Sequence, residues 1–276
     1  MVSLLVAGVG IVGALIGSFL NVVVWRVPRN ESIRFPASHC TSCETPIRPW
    51  DNIPVVSWLL LRGRCRDCKA TISWRYPAVE LFTAVAFAGI ALWALRGGLD
   101  VGSSVPSVVA FSLTLVAYLY LAAASISLSL IDIDTHRLPN KIVLPSYIVC
   151  GVLLVASSIF TAEYQALLTA ALAGAAFFSF YLILSLGYRG GMGFGDVKLS
   201  GVLGMMLGWL GWGQVAVGAF APFALGGIFA LGLVIAGRAG RKSRIPFGPW
   251  MIVGAWVGII AGDRIFGGYL TLFGLL

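Results

Sequence analysis

Charge is the property this sequence lacks most: only 11% of its 276 residues are Asp, Glu, Lys or Arg, against about 25% in an ordinary soluble domain. With 59% hydrophobic residues and a mean hydropathy of +0.93, that scarcity excludes a water-soluble globule and implies a chain folded in lipid. Acidic residues are the rarer sign, eleven against nineteen basic ones, for a formal charge of +8. The basic residues stand between apolar runs rather than across a polar surface, so membrane topology accounts for them and no nucleic-acid partner is expected. Also missing are a basic stretch ahead of the first apolar run, Val2 to Val24, and an A-x-A cleavage site; the first positive charges, Arg26 and Arg29, come after it. The expectation is a retained first helix with its N-terminus outside, rather than a cleaved signal. No tandem repeat or low-complexity tract occurs, although glycine is abundant at 34 residues, as close helix packing in lipid favours.

What is present is a series of apolar runs near or above the roughly 18 residues that cross a bilayer. Breaks at charged, proline-rich or glycine-rich segments predict eight spans, at about 2–24, 77–95, 105–131, 142–160, 164–187, 198–213, 214–236 and 247–264, of which the sixth is short and glycine-rich. The expected fold is an all-α polytopic membrane protein of about eight transmembrane helices with a small cytoplasmic zinc-ribbon-like insertion. Its parts are a first helix over 1–25, a polar cysteine module over 26–76 and a membrane domain over 77–276. Threading the spans from an outside N-terminus puts loops 25–76, 132–141, 188–198 and 237–246 in the cytoplasm. Those loops hold seventeen of the nineteen basic residues, Arg189, Arg241, Lys242 and Arg244 among them, and leave only Arg96 and Arg264 outside. The positive-inside rule predicts that bias.

The segment 26–76 is too short to bury a sizeable apolar core, so it needs a staple. Four of the five cysteines supply one, as Cys40-Thr41-Ser42-Cys43 and Cys65-Arg66-Asp67-Cys68, separated by 21 residues. Each pair can place two thiolates on one ion, and four close a tetrahedron with no open position. That points to a structural zinc whose binding supplies folding free energy; reduced or redox-active thiols are the other reading. In a reducing cytosol such pairs favour metal over disulfides. His39 and Cys150 are expected to stand outside the ligand set.

Among so few acids, three lie at span edges. Asp132 and Asp134 end the third span, and Asp196 opens the sixth in Gly193-Phe194-Gly195-Asp196-Val197-Lys198; the topology puts both segments on one membrane face. Carboxylates at this depth mark function by default. If Asp132 and Asp196 converge, repulsion and desolvation leave one protonated acid beside one carboxylate. Amide hydrolysis uses such a pair: the carboxylate takes a proton from the attacking water, and the acid polarises the carbonyl and then protonates the leaving amine. Gly193 and Gly195 permit φ values closed to other residues and the close approach of an extended peptide. The residues alone leave other uses open. Asp196 could cap a helix dipole, Asp134 could pair with Arg137 in solvent, or the acids could serve a proton- or cation-coupled transporter. A transporter is expected to hold its acids near the midplane on broken helices.

At these residues the chain resembles the type 4 prepilin peptidases, aspartyl proteases of the Gly-x-Gly-Asp type. The resemblance is carried by Gly17-Ser18-Phe19-Leu20-Asn21, by Trp25-Arg26-Val27-Pro28-Arg29, and by the two Cys pairs around Asp51-Asn52-Ile53-Pro54. It continues through Ser73-Trp74-Arg75-Tyr76-Pro77, the Asp132 to Leu138-Pro139-Asn140 segment, the motif ending at Lys198, and Ile245-Pro246-Phe247-Gly248-Pro249. It departs at Thr41, where many relatives carry proline. The resemblance implies a bifunctional enzyme of the bacterial cytoplasmic (inner) membrane, multi-pass, with its active site facing the cytoplasm. Such an enzyme removes the basic leader of type IV prepilins or pseudopilins and N-methylates the new N-terminus with S-adenosylmethionine. The family's catalytic aspartates map onto Asp132 and Asp196, with Asp134 as the rival to Asp132. Glu80, Glu44 and Asp51 are candidates for leader recognition. A peptidase without methylation stays open, since no glycine-rich loop of the Rossmann kind identifies a methyl-donor site.

Overall fold

The computed structural model describes residues 2–187, 192–238, 240 and 246–275, and is helical, with no strand among them. Arg189, Arg241, Lys242, Arg244 and Ile245, named above for topology and motif, lie outside the described residues. The long helices are α1 (Val2–Arg26), α3 (Arg75–Trp93), α4 (Val105–Thr135), α5 (Asn140–Thr161), α6 (Gln165–Gly187), α7 (Phe194–Leu210), α8 (Trp212–Ile235) and α9 (Gly248–Leu272), with a short α2 (Val56–Leu60) inside the polar segment. Seven of the eight long helices have the length and apolarity to cross a bilayer; α7, at 17 residues, is the exception. The chain is a polytopic helical membrane protein, as its composition requires.

Two compact units are present. In the first, α1 and α3 run antiparallel and nearly touch backbone to backbone. A side chain at Gly17 would meet the Glu80 Cα at 2.7 Å and one at Gly13 the Thr83 carbonyl at 2.8 Å, so the Gly-x-x-x-Gly spacing lets the helices close. Leu20, Val79 and Ile126 form the buried centre of this unit. The polar segment leaves α1 through Arg26, whose buried guanidinium donates to the carbonyls of Ser32 (2.9 Å) and Pro36 (2.8 Å).

The second unit comprises 101–118 and 131–276. α7 is buried on all sides, with Val197, Leu199, Val202, Leu203, Met206 and Leu207 each enclosed, as befits a helix apolar all round. Its burial explains its length: it is surrounded by helices rather than lipid and need not span by itself. Glycines set the packing. Gly204 lies against Ala173 and Phe177 of α6, and Gly208 against Thr169 and Ala170. Gly254, Gly258 and Gly262 of α9 face Pro222, Gly218 and Gln214 of α8. Tyr118 and Tyr147 cross-tie the core by donating to the carbonyls of Met206 (2.8 Å) and Lys198 (2.6 Å).

Candidate active site

Helix length, more than loop chemistry, brings the acids to one end of the second unit. α4 runs four residues past its expected limit and carries Asp132 in its last turn; the chain stops at His136, in the left-handed region at φ 52°, whose N–H bonds the Asp132 carbonyl at 2.8 Å. α7 begins four residues before its expected limit, so Asp196 occupies its first turn, where the carboxylate accepts the Gly193 N–H at 3.1 Å. The capping use of Asp196 is therefore real, and it leaves the second carboxylate oxygen uncommitted by that bond. Asp132 is 6% exposed, whereas Asp134, two residues on, is exposed, the opposite facing that helical periodicity requires. The Asp132 and Asp196 carboxylates lie within electrostatic range of one another.

The register that sets Gly204 beside Phe177 puts Asp196 level with Ser185, two residues before α6 ends at Gly187. On the other side Trp250, in the first turn of α9, packs against Gly226, while α8 continues to Ile235. The end of α8 thus rises past the start of α9, which grips Asp132.

Two residues whose role the sequence does not disclose complete the arrangement. The Gly248 N–H donates to the Asp132 carboxylate, and a Cβ at Gly248 would stand 2.7 Å from Asp132 Oδ2. Leu138 wedges between the two aspartate segments, 3.0 Å from the Cβ position of Gly195 and 3.4 Å from that of Gly248. Glycine at 195 and 248 is a matter of close approach, with Leu138 and Asp132 filling the space a side chain would take. Lys198 anchors the same corner through Asn140 Oδ1 at 3.1 Å.

In the first unit the four cysteines meet, their sulfurs all within 4.8 Å of one another. The two pairs share one local design. A bridge closes each turn, His39 to Pro46 and Arg64 to Thr71. Cys40 N–H bonds Thr45 O at 3.0 Å and Cys65 N–H bonds Ala70 O at 2.8 Å. Glu44 and Lys69, each one residue past its second cysteine, take positive φ of 57° and 60°. The Sγ atoms of Cys40 and Cys68 are 3.7 Å apart, close to the roughly 3.8 Å edge of a tetrahedron built on 2.3 Å metal–sulfur bonds. The N–H groups of Ser42 and then Cys43 lower the Cys40 thiol to about 6, which favours the thiolate a metal needs. The cluster can hold a metal ion. His39 instead bonds the Ala37 carbonyl at 3.0 Å and Cys150 is buried in α5, both outside the cluster as expected.

With this geometry in view, residues 11–94 match the Bacterial Peptidase A24 N-terminal domain and residues 119–237 the Type IV leader peptidase family. The Prepilin leader peptidase/N-methyltransferase of Stutzerimonas stutzeri is 32% identical, over 94% of this chain and 92% of its own. Those of Pseudomonas putida and Neisseria gonorrhoeae are each 33% identical, over 96% and 92% of this chain and 93% and 90% of theirs. The chain belongs to the type IV leader peptidase family. No solved structure matches it.

Within this leader peptidase, two of the three acids considered for leader recognition are already engaged. Asp51 takes a bidentate pair from Arg66, 2.8 Å from Nε and 2.6 Å from Nη2. Glu80 is buried and accepts the Val55 N–H at 2.7 Å. Val55 sits at φ 61°, ψ −50°, a conformation that costs a β-branched residue roughly 1–3 kcal/mol. Glu80 therefore holds a strained turn in place, a structural use of its charge. Glu44 forms the positive-φ corner of the first cysteine turn.

Proposed function

We propose that this protein is a leader peptidase of the bacterial cytoplasmic membrane, cleaving type IV prepilins or pseudopilins and N-methylating the new N-terminus, with Asp132 and Asp196 as its catalytic pair. One observation carries the reading: two carboxyl groups from the fourth and seventh helices lie within electrostatic range of each other at one end of a single unit, and one of them is gripped by a backbone N–H from the start of α9. Two carboxyl groups so placed hold one proton between them at least cost. The ionised member takes a proton from water as it attacks the scissile carbonyl. The protonated member bonds the carbonyl oxygen and passes its proton to the departing amine. Edge placement on unbroken helices disfavours the transporter reading, which calls for acids on broken helices near the midplane.

The distribution of basic residues supports an outside N-terminus and a dyad that faces the cytoplasm. A substrate with a basic leader joined to an apolar helix then presents its scissile bond at that rim. The four thiolates of Cys40, Cys43, Cys65 and Cys68 suit a structural zinc, which would fix the polar module and leave no position for catalysis. S-adenosylmethionine is the methyl donor that the relatives' names imply; the described residues contain no strand–glycine loop–helix unit of the Rossmann kind to receive it.

Cleavage of a purified prepilin by the detergent-solubilised protein tests the assignment. Asp132→Asn and Asp196→Asn are each expected to lower the rate at least about 1,000-fold, the scale on which removing one member of a concerted catalytic unit acts. Asp134→Asn keeps activity. Cleavage by Asp132→Asn at the wild-type rate would refute the pair.

A further inference from the structure

The polar module of the first unit wears its apolar side chains on the outside. Val56, Leu59 and Leu60 of α2 are 48%, 61% and 77% exposed, whereas Ser57 beside them is buried. The inward side of this turn is held by polar bonds. Ser57 donates to the Trp50 carbonyl at 2.9 Å and accepts the Ile53 N–H at 3.1 Å. Trp58 donates through Nε1 to the Ile72 carbonyl at 3.1 Å and lies against Gly63. Positions 56, 59 and 60 share one side of a helix, and that side is wholly apolar. A segment folded in water turns its leucines in and its serine out. This one does the reverse, the mark of a surface made to meet something apolar.

Its depth identifies the partner. Glu80 is level with Gly17, nine residues before α1 ends at Arg26, and lies five residues inside the start of α3, about 13 Å and 7 Å along the two helix axes. Both helices are long and apolar enough to cross a bilayer. The Val55 N–H bonds the Glu80 carboxylate at 2.7 Å, so the chain that left α1 returns toward the bilayer and begins α2 within one side chain's reach of that level. Leu81 and Phe82, the next residues of α3, are exposed as a lipid-facing surface is. Trp25 and Trp74, at the facing ends of α1 and α3, are exposed too, and indoles gather where membrane meets water. Charge agrees with depth. Arg62 and Arg64 follow α2 and are exposed, and residues 26–76 carry nine basic side chains against four acidic ones. Two of those acids, Asp51 and Asp67, are already paired with Arg66 and Arg48. The surplus suits anionic lipid headgroups and repels a basic peptide.

We propose that the outward face of α2 docks on the membrane itself, Val56, Leu59 and Leu60 entering the boundary of the acyl chains while Arg62 and Arg64 hold anionic phospholipid headgroups. The module then has a third attachment to the bilayer besides its two ends at α1 and α3. Apolar burial supplies the hold and the arginines supply the choice of lipid, the division of labour of interfacial segments. The inference uses only the two spanning helices and stands apart from the assignment of the aspartates.

The test places the full-length protein in phosphatidylcholine nanodiscs doped with a little phosphatidylglycerol or phosphatidylcholine that carries a photoreactive diazirine on its acyl chain. Mass spectrometry then maps the adducts, with Leu81, Phe82 and Val85 of α3 as the internal standard. Residues 53–64 of the wild type are expected to be labelled, about fivefold more by the phosphatidylglycerol, the scale of one arginine at an anionic surface. Leu59→Asn with Leu60→Asn should cut that labelling about tenfold or more, as the burial energy of leucine implies, while Leu59→Met with Leu60→Met keeps it. Arg62→Gln with Arg64→Gln should bring the two lipids level. No label on 53–64 beside a labelled α3 would overturn the docking and mean that water or another part of the protein meets this face. Equal labelling of the wild type by both lipids would overturn the anionic partner. Amide hydrogen exchange of the wild type gives a reading free of substitutions. Residues 56–62 should exchange more slowly in discs rich in phosphatidylglycerol than in phosphatidylcholine alone, and equal exchange would count against the proposal.

Discussion

Around Cys40 the chain holds its shape with sulfur and turns exposed to water; around Asp132 it does so with glycines that let backbone press against a carboxylate. The first region has almost no buried apolar surface of its own, Cys65 being its one enclosed apolar residue between 30 and 74, and so depends on four thiolates in reach of one ion. The second has no lack of apolar contact, and its difficulty is proximity: bringing two acids from distant helices together requires that Gly195 and Gly248 carry nothing. One chain therefore gathers polar groups in two ways, by four cysteines that converge within reach of one ion and by the removal of side chains where two acids approach.

The contrast breaks most decisively at the staple. Stripping the metal with a chelator, or Cys65→Ser, should open 26–74 to proteolysis, because metal binding in small modules is worth on the order of 10 kcal/mol. Limited digestion followed by mass spectrometry should find the new cuts within that segment and the helices of the second unit intact. Equal resistance with and without metal would mean that no staple holds the module. Next in size is Gly248→Ala. The added methyl group displaces Asp132 from its N–H partner, and cleavage should fall by about 100-fold or more, the loss that follows small misplacement of a reacting group. Zinc content and the digestion pattern of the module should not change. The smallest effect belongs to the surface pair of the module. Arg66 holds the Asp51 carboxyl below the usual carboxylate range, chiefly by hydrogen bonding. Its stabilisation is thus complete above that range and lost as the pH falls through the lower folded value. Arg66→Ala should slightly weaken the module near neutrality, as surface pairs contribute little, and should flatten its acid sensitivity in a thermal melt followed at different pH.

Much of this molecule can be read from residue order. Apolar runs between charged breaks give the long helices, and the cysteine spacing gives the cluster, because both signals are local. The boundaries that shift do so for a shared reason. α9 continues to Leu272 past Asp263 and Arg264, which point outward from a helix whose other face is buried; charge marks the end of an apolar run, not the end of a helix. α7 starts at Phe194 because Asp196 caps its own helix. What residue order cannot disclose is partnership across distance. The grip of Gly248 on Asp132, the wedge of Leu138 and the bond from Val55 to Glu80 join residues 25 to more than 100 positions apart, and glycine gives no sign of what fills the space it leaves.

The sharing of one proton by Asp132 and Asp196 can be observed without substrate, through the infrared carbonyl band of a protonated carboxyl group in the purified protein near neutral pH. A component of this band is expected to disappear in Asp132→Asn and equally in Asp196→Asn, since either substitution frees the remaining acid to ionise, while Asp134→Asn leaves it intact. A band indifferent to both substitutions would mean that the two acids do not share a proton and are not the catalytic pair.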